Sequence, residues 1–298
     1  MCAGVFAGYL LPSWAAYVAP TLPYAVGGMM VFAMVRISDA DLLQTLGRWR
    51  LLLGLAAWLL IASPALMWLA VTLLGLPSAV MLALVLTVAC PPLMSTVGLA
   101  WLLGLNPPLA LATVTLATLR CPVTLAVLFA FGQVDGVSLE PISLFLRLAA
   151  LVGGAYTAAA LLRRGLGMRR IQSLGPAWDI ATVCMLLLFA IGVMDGVAER
   201  ANAQPDYVLL LLACAFALNL AMQLLGTLLA RPLGSSSALT VGFASGNRAV
   251  GILLAVSPGD AGSDLVLFFA LYQVPMYTLP SVLRPIYRWW SARQPEPG

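Results

Sequence analysis

The 298-residue sequence contains no histidine and no lysine. Without imidazole, a zinc or haem site built on histidine is excluded, and so is a histidine general base. The missing lysine is a composition bias and carries no function. Charge of either sign is scarce: 15 arginines and 11 acidic residues make 9% of the chain, against roughly a quarter in an ordinary soluble domain. So little charge cannot clothe a water-facing surface, which excludes a soluble globular fold and a disordered chain. The net charge of +4 never gathers into a basic stripe, so nucleic acid is not a partner. The five cysteines (Cys2, Cys90, Cys121, Cys184 and Cys214) are odd in number, lie in apolar stretches and form no CxxC pair. They form neither a disulfide framework nor a metal cluster, and no cofactor is expected. No basic residue precedes Arg36, so the charged start of a cleaved signal peptide is missing.

What is present is apolar: 62% of the residues, in runs of 20 or more. Runs of that length predict membrane-spanning helices, whereas barrel strands would alternate. The lipid bilayer is therefore the first expected partner. Candidate spans are 3–19, 21–36, 50–74, 78–103, 107–131, 141–162, 177–197, 205–230, 236–257 and 264–287, with Gly, Pro and Asn in the separators. Pro20 and Pro23 divide the first stretch, which leaves open whether 3–36 holds two short spans or one. With ten spans and the N-terminus inside, eleven arginines fall in inner segments and only Arg200 in an outer loop. That bias predicts an inner-membrane protein with both termini cytoplasmic. Tyr287, Trp289 and Trp290 read as an interfacial anchor at the inner face. Gly153-Gly154 and Ala158–Ala160 read as sites of close helix packing.

The chain divides into two sets of five spans, 1–132 and 141–290, and an odd number per set inverts the second relative to the first. The fourth span is interrupted at Ala89-Cys90-Pro91-Pro92-Leu93-Met94-Ser95-Thr96, and the ninth at Gly242-Phe243-Ala244-Ser245-Gly246-Asn247-Arg248. Both interruptions sit near mid-span, at corresponding places in the two halves, which is the sequence pattern of a secondary transporter's binding site. Pro91 and Pro92 donate no backbone hydrogen bond and stop the helix. Its restart exposes N–H groups around Leu93 to Thr96 at a helix N-terminus, where an anion is favoured. A simple proline kink is the alternative reading of this break.

These stretches, together with Pro23–Leu46, Ser63-Pro64 to Pro77, Ala89–Pro122 and Leu239–Val256, resemble the bile acid:sodium symporter family. The resemblance implies an all-α integral membrane fold: ten helices in two inverted five-helix repeats, with the fourth and ninth broken and crossing at the midplane. It implies a core domain from 50–131 and 205–287, a panel domain from 3–36 and 141–197, and a substrate between them. The family's sodium-binding side chains are degenerate here. The glutamine of the third span falls at Leu59, and the Ser-Asn pair after the first break at Thr96 and Val97. Two hydroxyl residues of the fifth span fall at Ala110 and Val114, and the coupling glutamate at Gly242.

Arg248 lies at the second break and Arg120 mid-way along the fifth span, with no acidic residue at comparable depth. A charge there costs about 2.5–3.5 kcal/mol or more and normally faces a cavity and a partner. The expectation is that fixed positive charge replaces bound sodium. Arg248 would hold the crossing, and Arg120 or Arg248 would face the carboxylate of a small organic anion. Ser95, Thr96, Ser245, Asn247 and Gln273 would supply polar edges. Pairing of the arginines with backbone carbonyls at the breaks is the competing account, and snorkelling suffices for Arg147. Asn219 and Gln223, four apart, read as interhelical hydrogen bonding ahead of substrate contact. The leading function is secondary transport of an organic anion without the usual sodium coupling. The alternatives are sodium coupling through backbone ligands, metalloid efflux through Cys90, and a non-transporting membrane sensor or partner. No nucleophile–base pair is visible, so the chain does not read as an enzyme.

Overall fold

The structure is a computed structural model and describes residues 2–35, 49–131, 140–256 and 263–291. Arg36, Arg48 and Arg293, of the arginines assigned to the inner segments, lie outside them. All the regular elements among the described residues are helices, as unbroken apolar runs require when each backbone group must be paired within its own segment.

The first long hydrophobic stretch holds α1 (Cys2–Leu10), then α2 (Pro12–Val18), which passes through a 3-10 turn at Ala19–Thr21 into α3 (Leu22–Val35). Next come α4 (Trp49–Ala57), a π turn at Trp58–Ala62, and α5 (Ser63–Leu73). The interrupted pair α6 (Ser78–Ala89) and α7 (Thr96–Leu103) precedes α8 (Pro107–Phe131). The second half contains α9 (Pro141–Leu166), α10 (Met168–Ser173), α11 (Gly175–Gly192), α12 (Val197–Ala203) and α13 (Pro205–Leu229). A second interrupted pair, α14 (Ser235–Gly246) and α15 (Gly251–Val256), leads to α16 (Asp264–Val282) and α17 (Arg284–Ser291). Among the described residues, seven helical runs are long and apolar enough to cross a membrane: 12–35, 51–73, 107–130, 141–166, 175–203, 205–229 and 264–282. Large apolar side chains such as Trp14, Tyr17, Leu73, Trp101 and Ile180 lie exposed on the outside of the bundle, as a lipid-facing surface requires. The chain is therefore a multi-pass all-α membrane protein.

The start of the chain differs from the expected division at Pro20 and Pro23. The break falls at Pro12, and residues 12–35 run on as one span. Pro20 sits in the 3-10 turn and Pro23 in the first turn of α3, where a missing N–H costs little. Two oppositely directed segments are nonetheless present. Gly4 lies against Leu187 and Ala190 and Gly8 against Ile191 and Met194, so α1 runs parallel to α11. Gly192 meets Ala19 and Gly28 meets Met185, so the following segment runs back along it. At nine residues, α1 rises only about 13 Å.

Helix α3 packs against α9 and α11, and α13 against α14 and α16, while α8 bridges α9, α7 and α14. Of the expected packing sites, Ala159 is buried in the core, whereas Gly153-Gly154 is not a close contact. Cβ atoms on Gly153 or Gly154 would meet nothing within 4 Å, because those glycines lie on the open face of α9. The tight contact is between α13 and α14. A Cβ on Gly242 would collide with Thr227 Oγ1 and lie 2.5 Å from the Gln223 carbonyl oxygen, and one on Gly246 would lie 2.6 Å from the Asn219 carbonyl oxygen. At one end of the bundle Arg200 of α12 donates to Asp264 at 2.7 Å, and the Ser263 hydroxyl caps α16 by accepting from the Val266 N–H.

Candidate functional site

Helix α6 stops at Ala89, and Cys90 turns extended (φ −63°, ψ 150°) ahead of the two prolines. Helix α14 stops at Gly246, and Asn247 turns extended as well (φ −99°, ψ 91°). The two extended pieces meet in an antiparallel bridge between Pro92 and Arg248. Leu93 N–H donates to the Asn247 carbonyl at 2.9 Å, and Ala249 N–H donates to the Pro91 carbonyl at 2.8 Å. The broken helices therefore cross, and each break supplies the partners that the other lacks. Leu93, whose N–H was expected to be open to a ligand, is used in this way. Pro91, Pro92 and Asn247 are buried.

The Arg248 side chain is fully buried and uses four of its five N–H groups. Nε donates to the Ser245 carbonyl at 2.7 Å, Nη1 to the carbonyls of Leu59 (3.2 Å) and Cys90 (3.0 Å), and Nη2 to Ser63 Oγ at 3.2 Å. The Leu59 carbonyl is available for a local reason. Ser63 N–H reaches five residues back to Trp58 instead of four, and the next residue, Pro64, has no N–H to give. Ser63 Oγ also donates to the Leu59 carbonyl at 3.1 Å. Trp58, in the same π turn, donates from Nε1 to Ser245 Oγ at 2.9 Å. One arginine thus joins both helix breaks to a third disturbed helix.

A second polar chain approaches the crossing from α13. Asn219 Nδ2 donates to the Gly246 carbonyl at 2.8 Å, and the Tyr272 hydroxyl donates to the same oxygen. Gln223 Nε2 donates to Asn219 Oδ1 at 2.5 Å, and the Tyr287 hydroxyl donates to Gln223 Oε1. Asn219 and Gln223 are therefore interhelical ties, as their spacing indicated. Tyr287 is 5% exposed, so it belongs to this chain, while Trp289 remains on the surface.

The other expected residues divide into three groups. Ser95 Oγ, Thr96 Oγ1, Asn247 Oδ1 and Gln273 Oε1 are buried atoms without a hydrogen-bond partner, although Asn247 Nδ2 donates to the Phe243 carbonyl and Gln273 Nε2 to that of Phe269. Leu93, Met94 and Ser95 are half-buried, so this segment reaches the protein surface. Arg120 is not brought to Arg248: it lies exposed on α8, on a stripe with Leu119, Val123 and Val127. Arg147 does more than extend towards an interface, because its Nη1 donates to the Val256 carbonyl at the end of α15, at 3.1 Å. Ala110 and Val114 are buried apolar residues, Val97 is half-buried, and Leu59 contributes its main chain. At Gly242 the neighbouring α13 fills the space that a glutamate side chain would need. Cys90 is buried and gives its carbonyl to Arg248, and the described residues contain no group of three His, Cys, Asp or Glu able to hold a metal. Trp58 and Ser63 were missed as partners of the crossing. The available signal was the Ser63-Pro64 pair, which leaves a carbonyl unpaired one turn earlier. Compared with protein-family models and with curated proteins, the chain matches none.

Proposed function

We propose that the protein is a secondary transporter of a small organic anion, a carboxylate, and that a tethered guanidinium takes the place of a bound cation at the crossing of its broken helices. The observation that carries this reading is the set of oxygen atoms around Arg248: the carbonyls of Leu59, Cys90 and Ser245, with Ser63 Oγ. Convergent oxygens of this kind are what a hard cation takes, and here a fixed positive charge holds them together. Irregular backbone at membrane depth is tolerated where it is buried or lines a water-filled cavity, and the buried crossing meets the first condition. The Ser95 hydroxyl, buried and without a hydrogen-bond partner, lies beside the N-terminus of α7, which suits an anion. Arg120, a charge mid-way along an apolar helix and exposed, calls for water beside it. It is the residue to face the substrate carboxylate. The resemblance to bile acid:sodium symporters supports ten spans in two inverted repeats, the core and panel division, an inner-membrane location with cytoplasmic termini, and movement of the core for alternating access.

The test is uptake of labelled carboxylates by the purified chain in proteoliposomes, with sodium and with choline in its place. Equal uptake in both supports the reading, and uptake that requires sodium overturns it. A specific observation favours sodium coupling as the second reading: Ser95 Oγ, Thr96 Oγ1 and Asn247 Oδ1 are open oxygens near the same crossing. The same assay decides between the two.

A further inference from the structure

Helix α15 (Gly251–Val256) is the second half of the interrupted ninth span, and it is held at both ends. Its first residue is closely seated: a Cβ on Gly251 would lie 2.8 Å from Phe189 Cζ of α11 and 3.5 Å from Val26 Cγ2 of α3. Val26 is buried in this contact. Its last residue, Val256, gives its carbonyl to Arg147 Nη1 of α9 at 3.1 Å. That carbonyl is one of the last four of a helix, which have no partner within it. Between these ends α15 packs on α3 and α9. The matching piece after the other break, α7, packs instead on α8, α14 and α17. The second halves of the two broken spans therefore have different neighbours, and α15 is the one seated on α3, α9 and α11.

We infer that Arg147 is a latch between the two moving parts: it holds α15 on the panel helices, and this structure is the state in which that end of the boundary is closed. The inference rests on the transporter reading above, in which α15 belongs to the core and α3, α9 and α11 to the panel. A core that moves must part from the panel here, and the Arg147 bond is then broken. The bond suits that task. A charged donor on a carbonyl is stronger than a neutral one, yet the Arg147 side chain is exposed, so water replaces the carbonyl once the bond opens. In this role Arg147 touches no substrate. It is a positioning residue, and it sets how often the boundary opens.

The test reads separation of α15 from α3 directly. Val26→Cys places a thiol in the covered contact, and a water-soluble maleimide is added to the purified full chain in detergent. Alkylation is followed by mass spectrometry of the peptide that carries residue 26. With Arg147 in place the reaction is slow. Arg147→Gln speeds it about fivefold, and Arg147→Lys, which keeps a charged donor, slows it again. Unchanged alkylation in Arg147→Gln overturns the latch and leaves Arg147 as a local cap of α15, and so does an Arg147→Lys chain no slower than Arg147→Gln. Should Arg147→Gln fail to fold, the pair Val26→Cys and Gly251→Cys decides with Arg147 intact. Oxidation of the pair by copper phenanthroline clamps α15 on α3, so amide hydrogen exchange in α15 slows and a reductant restores it. Exchange that ignores the clamp overturns the proposal. Neither measurement uses a substrate, so a chain that takes up no carboxylate sinks the transporter reading and leaves this result standing.

Discussion

Pro92 and Arg248 face each other across an antiparallel bridge, with Leu93 N–H on the Asn247 carbonyl at 2.9 Å and Ala249 N–H on the Pro91 carbonyl at 2.8 Å. The bridge settles most of the backbone accounting at a place where no lipid or bulk water could do so. Asn219 and Tyr272 take the Gly246 carbonyl, and the Arg248 side chain takes those of Cys90, Ser245 and Leu59. The main chain on either side of Arg248 and the side chain of Arg248 therefore serve the same crossing.

Replacing Arg248 by methionine keeps the stem and removes the donors. Three buried carbonyls then lose a partner, at about 1–3 kcal/mol each. The melting temperature of Arg248→Met in detergent is expected to fall sharply. Arg248→Lys should recover part of the loss, since an ammonium has three donors but no planar fork. A methionine variant that melts with the unaltered protein would show that the guanidinium ties nothing.

The vacated oxygens also predict an ion response. In Arg248→Ser the carbonyls of Leu59, Cys90 and Ser245 are left facing a space the size of a guanidinium. Sodium should raise the melting temperature of this variant relative to choline, while the unaltered protein shows no such difference. If the variant ignores sodium, the oxygen set is not a cation cage.

Gly242→Ala places a Cβ against Thr227 Oγ1 and 2.5 Å from the Gln223 carbonyl oxygen. Overpacking of this kind costs about 1–3 kcal/mol. Thr227→Ala in the same chain removes one obstacle but leaves the main-chain oxygen. The double variant should therefore regain only part of the stability, and a double-mutant cycle of melting temperatures measures how much. Full recovery would place the clash at the threonine alone.

Arg120→Gln tests the substrate role separately from the fold. The residue is exposed, so the change in stability should stay within about 0.5 kcal/mol. Loss of a charge-assisted bond to a carboxylate should raise the uptake KM on the order of tenfold to a hundredfold. Unchanged uptake kinetics would remove Arg120 from the site.

The breaks themselves were legible, because Pro91-Pro92 and Gly246-Asn247 interrupt apolar runs at matching places and proline chemistry is local. So was the choice of Arg248 as the residue at their meeting point. The identity of its partners was not. Side-chain comparison singled out Leu59 as a lost ligand, yet its carbonyl is the ligand, freed by a π turn that depends on where Ser63 N–H points. Proline gave the wrong boundary at the start of the chain, because Pro20 and Pro23 occupy positions that need no N–H while Pro12 begins a helix. The outward face of Arg120 was also hidden, since the threonines of α8 are largely buried and no polar stripe accompanies the arginine.

A dissociable ion at a crossing obeys mass action: its contribution to stability grows as the logarithm of its concentration over its dissociation constant. The guanidinium of Arg248 is attached to the chain and fully buried, so its occupancy is one whatever the medium contains. It gives the crossing electrostatic support that does not depend on the ions in the medium. For the same reason it contributes no dissociable ion whose concentration gradient could be drawn upon.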